Sequence, residues 1–471
     1  MSKLYVFAIG GTGSRVLKSL TMLLASGVRC DSTIVPVIID PDASNADMTR
    51  TVDLLNLYNQ IRKPSNGDTF FKTEIKDETA NNWRLPIDNT HNVRFKDFIG
   101  IGNMDRDDPN RFMCEALFSN KNFESDMSVG FKGNPNVGSV VLNQFVDSDA
   151  FKNLCGNFSQ GDRIFIVSSI FGGTGASGFP LLLKTLRSIK TGQNFALINK
   201  ARIGAITVLP YFSLGTNNNS EIDSSTFIQK TKSALTYYAD NISNNNQLDA
   251  LYYIGDTVRE SIQNCEGGAG QKNPAHLIDL VSALAILDFE KMQFANNAPC
   301  TTIHKEFGMN DIDEKTKVTF NTFYPMTNMV IRKRLIQMYL TVRYFENHFL
   351  TEGIQQAWAK DRKIDNQFVQ SPYFIAFDTF MRNFNEWISE MESTKRCFSP
   401  FETEKSKDTD VFETIRGSER AKYGLITQAK SYLLIDNFLN GEKDDTSDAA
   451  NQLLRIFNNA TSKATEKMLN Q

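Results

Sequence analysis

The sequence predicts an α/β fold: a doubly wound, mostly parallel sheet with a long buried core helix, followed by a mainly helical C-terminal part. Three observations predict it. Buried-type strands alternate with helices over the first three-fifths of the chain, two of those strands run straight into glycine-rich turns, and beyond Ala295 the apolar spacing becomes mostly helical. With 471 residues the chain exceeds what one hydrophobic core covers, about 250–300 residues. The expected division is a first domain at 1–290 and a second, mainly helical one at 291–471.

Leu4–Ile9 is a short apolar run that ends in Gly10-Gly11-Thr12-Gly13. From Ser14 to about Ala25, apolar residues recur at helical spacing (Val16, Leu17, Leu20, Leu23, Leu24). Thr33–Ile39 is a second buried-type strand, closed by Asp40-Pro41-Asp42. Strand, glycine turn, helix and strand make a βα unit of a parallel sheet. Arg163–Ser168 is the next strand; Phe171-Gly172-Gly173-Thr174-Gly175-Ala176-Ser177-Gly178 follows it, then a helix over Phe179–Ile189. Ile203–Leu209 and Asp249–Ile254 complete the buried strands, with helices expected at Ser224–Asn241 and Pro274–Phe289. The stretch from Leu57 to Met127 is polar and without a clean period, as expected of an insertion with short elements of its own. Further on, Thr316–Phe323 alternates like a half-buried strand. Helices are expected at Asn328–Phe349, Tyr373–Met391, Glu413–Leu439 and Ala449–Leu469, and a surface loop at Pro400 and Glu402–Asp410.

Composition narrows the function. With 51 basic against 54 acidic residues the net charge is −3, which offers nucleic acid or an anionic membrane no bulk attraction. The six cysteines lie far apart without a C-x-x-C pair, and the four histidines do not join them at zinc spacing. Buried free thiols in a reducing compartment are expected. No apolar run reaches the ~20 residues of a transmembrane helix, and the chain starts directly on a strand, so a cytoplasmic protein is expected.

A glycine turn between a buried strand and a helix presents backbone N–H groups and a positive helix end to an anion. Taken alone, Gly10–Gly13 fits a phosphate loop, a plain tight turn, or a dinucleotide-binding turn with Asp40 as the ribose acid. That last option would make the chain an NAD(P)-dependent oxidoreductase. A G-x-x-x-x-G-K-[ST] loop occurs nowhere. The second turn, Gly172–Gly178, suggests phosphates gripped from two sides.

The residues of that second turn, FGGTGASG, resemble the signature loop GGGTGSG or GGGTGTG of the tubulin/FtsZ superfamily. Other loops follow in the family's order. Gly10-Gly11-Thr12-Gly13 looks like its first phosphate loop, and Asp40-Pro41-Asp42-Ala43 stands where FtsZ has Asn-Thr-Asp-Ala. Gly133-Asn134-Pro135-Asn136-Val137-Gly138 is similar to GANPEVG, which faces the terminal phosphate. Leu209-Pro210-Tyr211-Phe212 resembles the Lys-Pro-Phe segment of the ribose loop, and Leu248–Asp256 resembles VDTLIVIPN before the base site. The resemblance covers roughly residues 1–290 and is strongest to the divergent bacterial tubulin-like proteins. It implies a GTPase domain with GTP/GDP and Mg²⁺ as cofactors, and self-association or a protein partner.

Carried onto this chain, the resemblance implies that all three turns direct N–H groups at phosphates, with hydroxyls from Thr12, Ser14, Thr174 and Ser177. Asp42 would hold Mg²⁺ directly or through water, with an N-cap or Asx-turn as its alternative role. Arg15 is expected either at a phosphate or as an ordinary surface arginine. Asp256, where FtsZ has Asn, could accept from guanine N1–H and N2–H₂ together, or cap the next segment. Asn273 or His276 would lie near the base, and Glu221 beside the ribose. After Phe289 the family's carboxylate loop, Asn-x-Asp-Phe-Ala-Asp, is missing. Asp311 and Asp313 are the substitute candidates for catalysis, with a turn as their alternative, and Asp288 and Glu290 form a second pair. The expected function is nucleotide-dependent assembly, with a binding module that does not hydrolyse as the alternative.

Overall fold

The computed structural model describes residues 2–64, 70–128, 130–131, 134–214, 225–245, 247–257, 260–262, 267–294, 301–307, 317–323, 325–403, 410–420, 428–443 and 449–470. Six strands form one sheet: β1 (Lys3–Ile9), β2 (Thr33–Ile39), β3 (Arg163–Ser169), β4 (Arg202–Val208), β5 (Ala250–Ile254) and β6 (Ile303–Phe307). Their order is β2-β1-β3-β4-β5-β6, and every pairing is parallel. The first five strands are buried almost throughout, which is why they stand out as continuous apolar runs.

Helices α1 (Gly10–Ala25), α2 (Ala46–Arg62), α3 (Pro135–Val141), α4 (Gly173–Ser188), α5 (Ser225–Asn241) and α6 (Leu277–Lys291) surround the sheet. The path from β1 through α1 steps to β2 on one side, and the path from β3 through α4 steps to β4 on the other. Right-handed crossovers in opposite directions place their helices on opposite faces. Accordingly α1 packs on α2 and α6, while α4 packs on α3. The winding therefore reverses between β1 and β3, opening the crevice where doubly wound proteins hold ligands. Helix α6 lies hard against the sheet at Gly204, where a Cβ would stand 2.7 Å from both Phe165 and Phe289.

The C-terminal region is helical: α7 (Pro325–Tyr344), which runs into a π-helical turn at Phe345–Phe349, then α8 (Pro372–Ser393), α9 (Gln428–Asn440) and α10 (Ala449–Met468). Helix α8 packs on α2, and Trp387 donates its indole N–H to Ser19 of α1 at 3.1 Å. Buried apolar residues of the sheet and of the C-terminal helices form one continuous core. Among the described residues no helix is long and apolar enough to cross a membrane.

Several expectations need correction. The glycine turns are the first turns of α1 and α4 rather than loops before them. Residues 317–323 contain no strand; Val318 makes an isolated bridge to Phe398 and Phe320–Thr322 is a 3₁₀ turn. Its alternating apolar side chains are buried all the same, so the pattern reported burial and not pairing. Among the described residues of the expected helix Glu413–Leu439, Gln428 onward is helical, while Val411–Thr414 is a 3₁₀ turn and Glu419–Arg420 pairs with Leu469–Asn470. The sixth strand, Ile303-His304-Lys305-Glu306-Phe307, was not expected, because an edge strand facing solvent carries charges that mask it. The polar stretch from Leu57 onward is less separate than expected. Phe70, Phe71, Trp83 and Leu85 are buried, and bridges at Ile34–Ile75 and Ile38–Arg84 extend the sheet edge. Cys30, Cys114, Cys155 and Cys397 are free, but of these only Cys155 is buried; Cys265 and Cys300 fall outside the described residues.

The tight seat of α6 can be tested. Gly204→Ala is expected to lower unfolding free energy by about 1–3 kcal/mol through overpacking. Urea denaturation checks it, and a variant as stable as the parent would show that the helix has room to move.

Candidate functional site

At the carboxyl ends of β1 and β3 the chain turns directly into α1 and α4. The two turns touch: a Cβ on Gly10 would stand 3.5 Å from the Thr174 Cβ, and one on Gly130 would lie 3.9 Å from the Thr174 hydroxyl. Glycine is required at Gly10, whose φ is +70°. It is also required at Gly175, where a Cβ would meet the Ser169 carbonyl at 2.6 Å. Neither α1 nor α4 has a side-chain N-cap. First-turn N–H groups have no intrahelical partner, so two uncapped, positively polarised helix starts meet at one point. Helix α3 closes the third side: the space a Cβ on Gly138 would need is taken by Ser177 and Phe131.

The four hydroxyls are placed differently from one another. Ser14 is fully buried and donates to the Gly10 carbonyl at 3.3 Å, and Ser177 donates to the Gly173 carbonyl at 2.7 Å. Both turn inward and brace the turns. Thr12 accepts from Arg15 at 3.4 Å. Thr174 is half-buried and faces Gly10 and Gly130.

A buried ionic network lies behind the turns. Arg15 is neither at the surface nor free for a phosphate: its guanidinium pairs with Asp47 at 2.9 Å and Asp279 at 3.4 Å and donates to the Tyr211 hydroxyl at 3.1 Å. Asp47 also accepts from the backbone N–H and side chain of Asn273, at 2.9 and 2.8 Å. The network thus joins α1, α2 and the start of α6. Burial pushes the Asp279 carboxyl up to about 6, against the pull of Arg15. His276 caps α6, accepting from the Ile278 N–H at Nδ1, and its ring lies tilted against Tyr211 with 4.6 Å between ring centres. Desolvation holds its imidazole down to about 3, so it is neutral with the proton on Nε2.

After β2, Asp42 takes its Asx-turn role. It accepts from the Ser44 N–H at 3.1 Å and hydroxyl at 2.8 Å, and its other oxygen takes the Gly268 N–H at 2.6 Å. Asp40 accepts from the Asp42 N–H at 3.0 Å and the Asn45 amide at 3.1 Å; desolvation pushes its carboxyl up to about 7. Among the described residues no group of three or more His, Cys, Asp or Glu is arranged to hold a metal.

Asp256 lies just beyond β5, and both its oxygens are taken by Arg396, through Nε at 2.6 Å and through Nη2. Neither side chain is exposed. Phe212 sits in an aromatic group with Phe171 and Tyr211, at 5.4 and 5.0 Å between ring centres. Thus Gly10–Ser14, Asn134, Gly138, Gly172–Gly178, Phe212, Asp256 and His276 all gather around the carboxyl ends of the sheet or the helices that start there. Gly133, Glu221, Asp311 and Asp313 fall outside the described residues. Asp288 accepts from the Tyr252 hydroxyl at 2.6 Å and pairs with Lys305, and Glu290 accepts from the Ser32 hydroxyl at 2.9 Å. Residues not anticipated include Asn45, Asp47, Asp279, Glu390 and Arg396. Asp47 and Asp279 could have been flagged as acids near helix starts; Arg396 carries no local signal.

Fold and crevice define a doubly wound α/β protein with two uncapped helix starts at its switch point. No protein-family model and no curated protein matches the chain. Among solved structures it is similar to CetZ2 from Haloferax volcanii, described as a GTPgS-bound protofilament, at 13% identity and a TM-score of 0.30. The match covers 63% of this chain and spans 61% of that one.

The Asp279 shift has a consequence for stability. Its carboxyl binds a proton more tightly in the fold than in the unfolded chain, where it titrates near ~4. Between about pH 4 and pH 6 the native state therefore holds more protons, and this group's contribution falls as pH rises. Asp279→Asn keeps an oxygen for the His276 N–H. It is expected to flatten the dependence of stability on pH across that window. Urea midpoints from pH 4.5 to 7.5 check it; an unchanged slope would assign the pH dependence to other groups.

Proposed function

We propose that this chain is a tubulin/FtsZ-like guanine-nucleotide-binding protein whose bound nucleotide governs its association with itself or with a protein partner. The observation that carries the reading is the contact of the Gly10 and Thr174 turns at the switch point, where two uncapped helix starts aim at one anion. A triphosphate bridging them would take N–H groups from Gly11–Gly13 and from Thr174–Ala176, with the Thr174 hydroxyl alongside. The aromatic group at Phe212 would flank the sugar and base, and Mg²⁺ would sit with the phosphates near Asp42, sharing its carboxylate with Ser44 and Gly268. The oxyanion cradle stabilises charge without proton transfer. In this reading residues 1–290 are the nucleotide domain and 291–471 a helical domain packed against it.

A regulatory ligand without turnover is the second reading. The engagement of Asp288 by Tyr252 and Lys305, and of Glu290 by Ser32, favours it. Phosphate release measured against protein concentration separates the two. Specific activity that climbs with concentration means hydrolysis completed between subunits; none at any concentration means a regulatory ligand. An NAD(P)-dependent reading needs only one of the two turns, and the pairing of both at one point speaks against it.

Thr174→Asp separates the site from the fold. A carboxylate in the first turn of α4 suits the helix dipole by about 0.3–1 kcal/mol, so stability is expected to hold or rise. The same charge repels phosphate, and affinity for a fluorescent guanine nucleotide is expected to drop at least about tenfold, or 1.4 kcal/mol. Equal affinity in parent and variant would remove the turns from the site, and release of NAD from denatured protein would replace the reading altogether.

A further inference from the structure

Arg396 takes both oxygens of Asp256 with two N–H groups of one planar fork. Guanine presents a similar pair along one edge, N1–H and N2–H₂, where adenine presents a bare acceptor at N1. The structure thus shows the Asp256 carboxylate receiving the kind of double donor that guanine would bring, from a side chain of the C-terminal region. Resting on the proposed nucleotide site, we infer that Arg396 is a built-in competitor for the guanine edge, through which the C-terminal helices gate access of the base to Asp256.

Three observations support a gate over a permanent strut. Both side chains are fully enclosed, so no ligand reaches Asp256 while the pair stands. The closed arrangement is incompletely satisfied: Arg396 Nη1 and His276 Nε2 are buried donors without a hydrogen-bond partner. A buried polar network with open valences costs more to keep than a complete one. Finally, the turn that carries Arg396 is strained, since Cys397 sits at φ 47°, a left-handed conformation unfavourable for a residue with a Cβ.

The anchor points lie upstream of the turn. Glu390 of α8 accepts from Lys18 at 2.9 Å, from Arg50, and from the Ala275 N–H at 3.0 Å, and Trp387 holds Ser19. Opening swings the segment beyond Met391, breaking the bonds from Phe398 N–H to Met391, from Val318 N–H to the Cys397 carbonyl and from Ser399 N–H to the Val318 carbonyl. Linkage is reciprocal. Guanine nucleotide pulls the turn away from Asp256, and anything that holds the turn in place weakens guanine binding by the same factor.

Hydrogen exchange of the Cys397 and Phe398 amides in the full-length, unmodified protein, with GDP or ADP added, tests the gate. GDP is expected to speed their exchange and ADP to leave it unchanged. In parallel, Arg396→Gln is expected to bind GDP about tenfold more tightly than the parent, because the competent fraction rises. IDP, which lacks the 2-amino group, should gain less, and ADP nothing. Should the variant fail to fold, exchange in the unmodified protein decides alone. GDP that binds without speeding exchange, or a folded variant that binds GDP no better, overturns the gate and leaves the site standing. No binding of any guanine nucleotide removes the site and the gate together.

Discussion

The structure depends on the meeting of two helix starts at a point where the sheet reverses its winding. Each strand end must turn sharply into a helix, and each helix must begin almost touching its own strand. At Gly13 a Cβ would stand 2.5 Å from the Ala8 backbone, and at Gly175 one would stand 2.6 Å from the Ser169 carbonyl. Only glycine permits that, which is why both turns are so rich in it. Neither helix start carries a side-chain cap, so the first-turn N–H groups have no partner within the helix.

Two unlike charge environments sit on either side of this crevice. In front are neutral N–H groups and half-buried Thr174, an arrangement suited to an anion that brings its own charge. Behind lies the ion network of Arg15, Asp47 and Asp279, closed off from solvent. Its role follows from what it connects: helix α1, helix α2 and the start of α6 are fixed relative to one another by one guanidinium. Replacing such a network with apolar groups is often neutral for stability, whereas breaking one member is costly. Its value here is geometric, since it fixes the start of α1 relative to α2 and α6.

Much of this was legible in the sequence, for a definite reason. Strands buried on both faces appear as uninterrupted apolar runs, and turns that exclude Cβ atoms appear as glycine clusters, so the sheet and both cradles could be placed from residues alone. What escaped was whatever depended on solvent-facing edges or distant partners. Strand β6 carries His304, Lys305 and Glu306 because it lies at an edge. Arg15 is expected at a phosphate or at the surface because it follows the loop, yet its guanidinium turns inward onto Asp47, far along the chain. Asp256 is expected at the guanine edge or as a cap of the next segment, and nothing near it in sequence points to Arg396, which takes both its oxygens.

That last residue changes how the C-terminal helices should be viewed. Between Trp387 and Arg396, a single helix and its following turn reach α1, α2, the start of α6 and the end of β5. Those are the elements that begin or end around the crevice. A ligand that shifts any of them by even a fraction of an ångström must be felt by α8, because closely packed, hydrogen-bonded elements move between discrete arrangements and do not deform smoothly. The reverse holds too. A surface formed by the C-terminal helices in contact with another protein would bear directly on the crevice through Glu390 and Arg396. Coupling between site and surface therefore needs no long relay; one helix touches both.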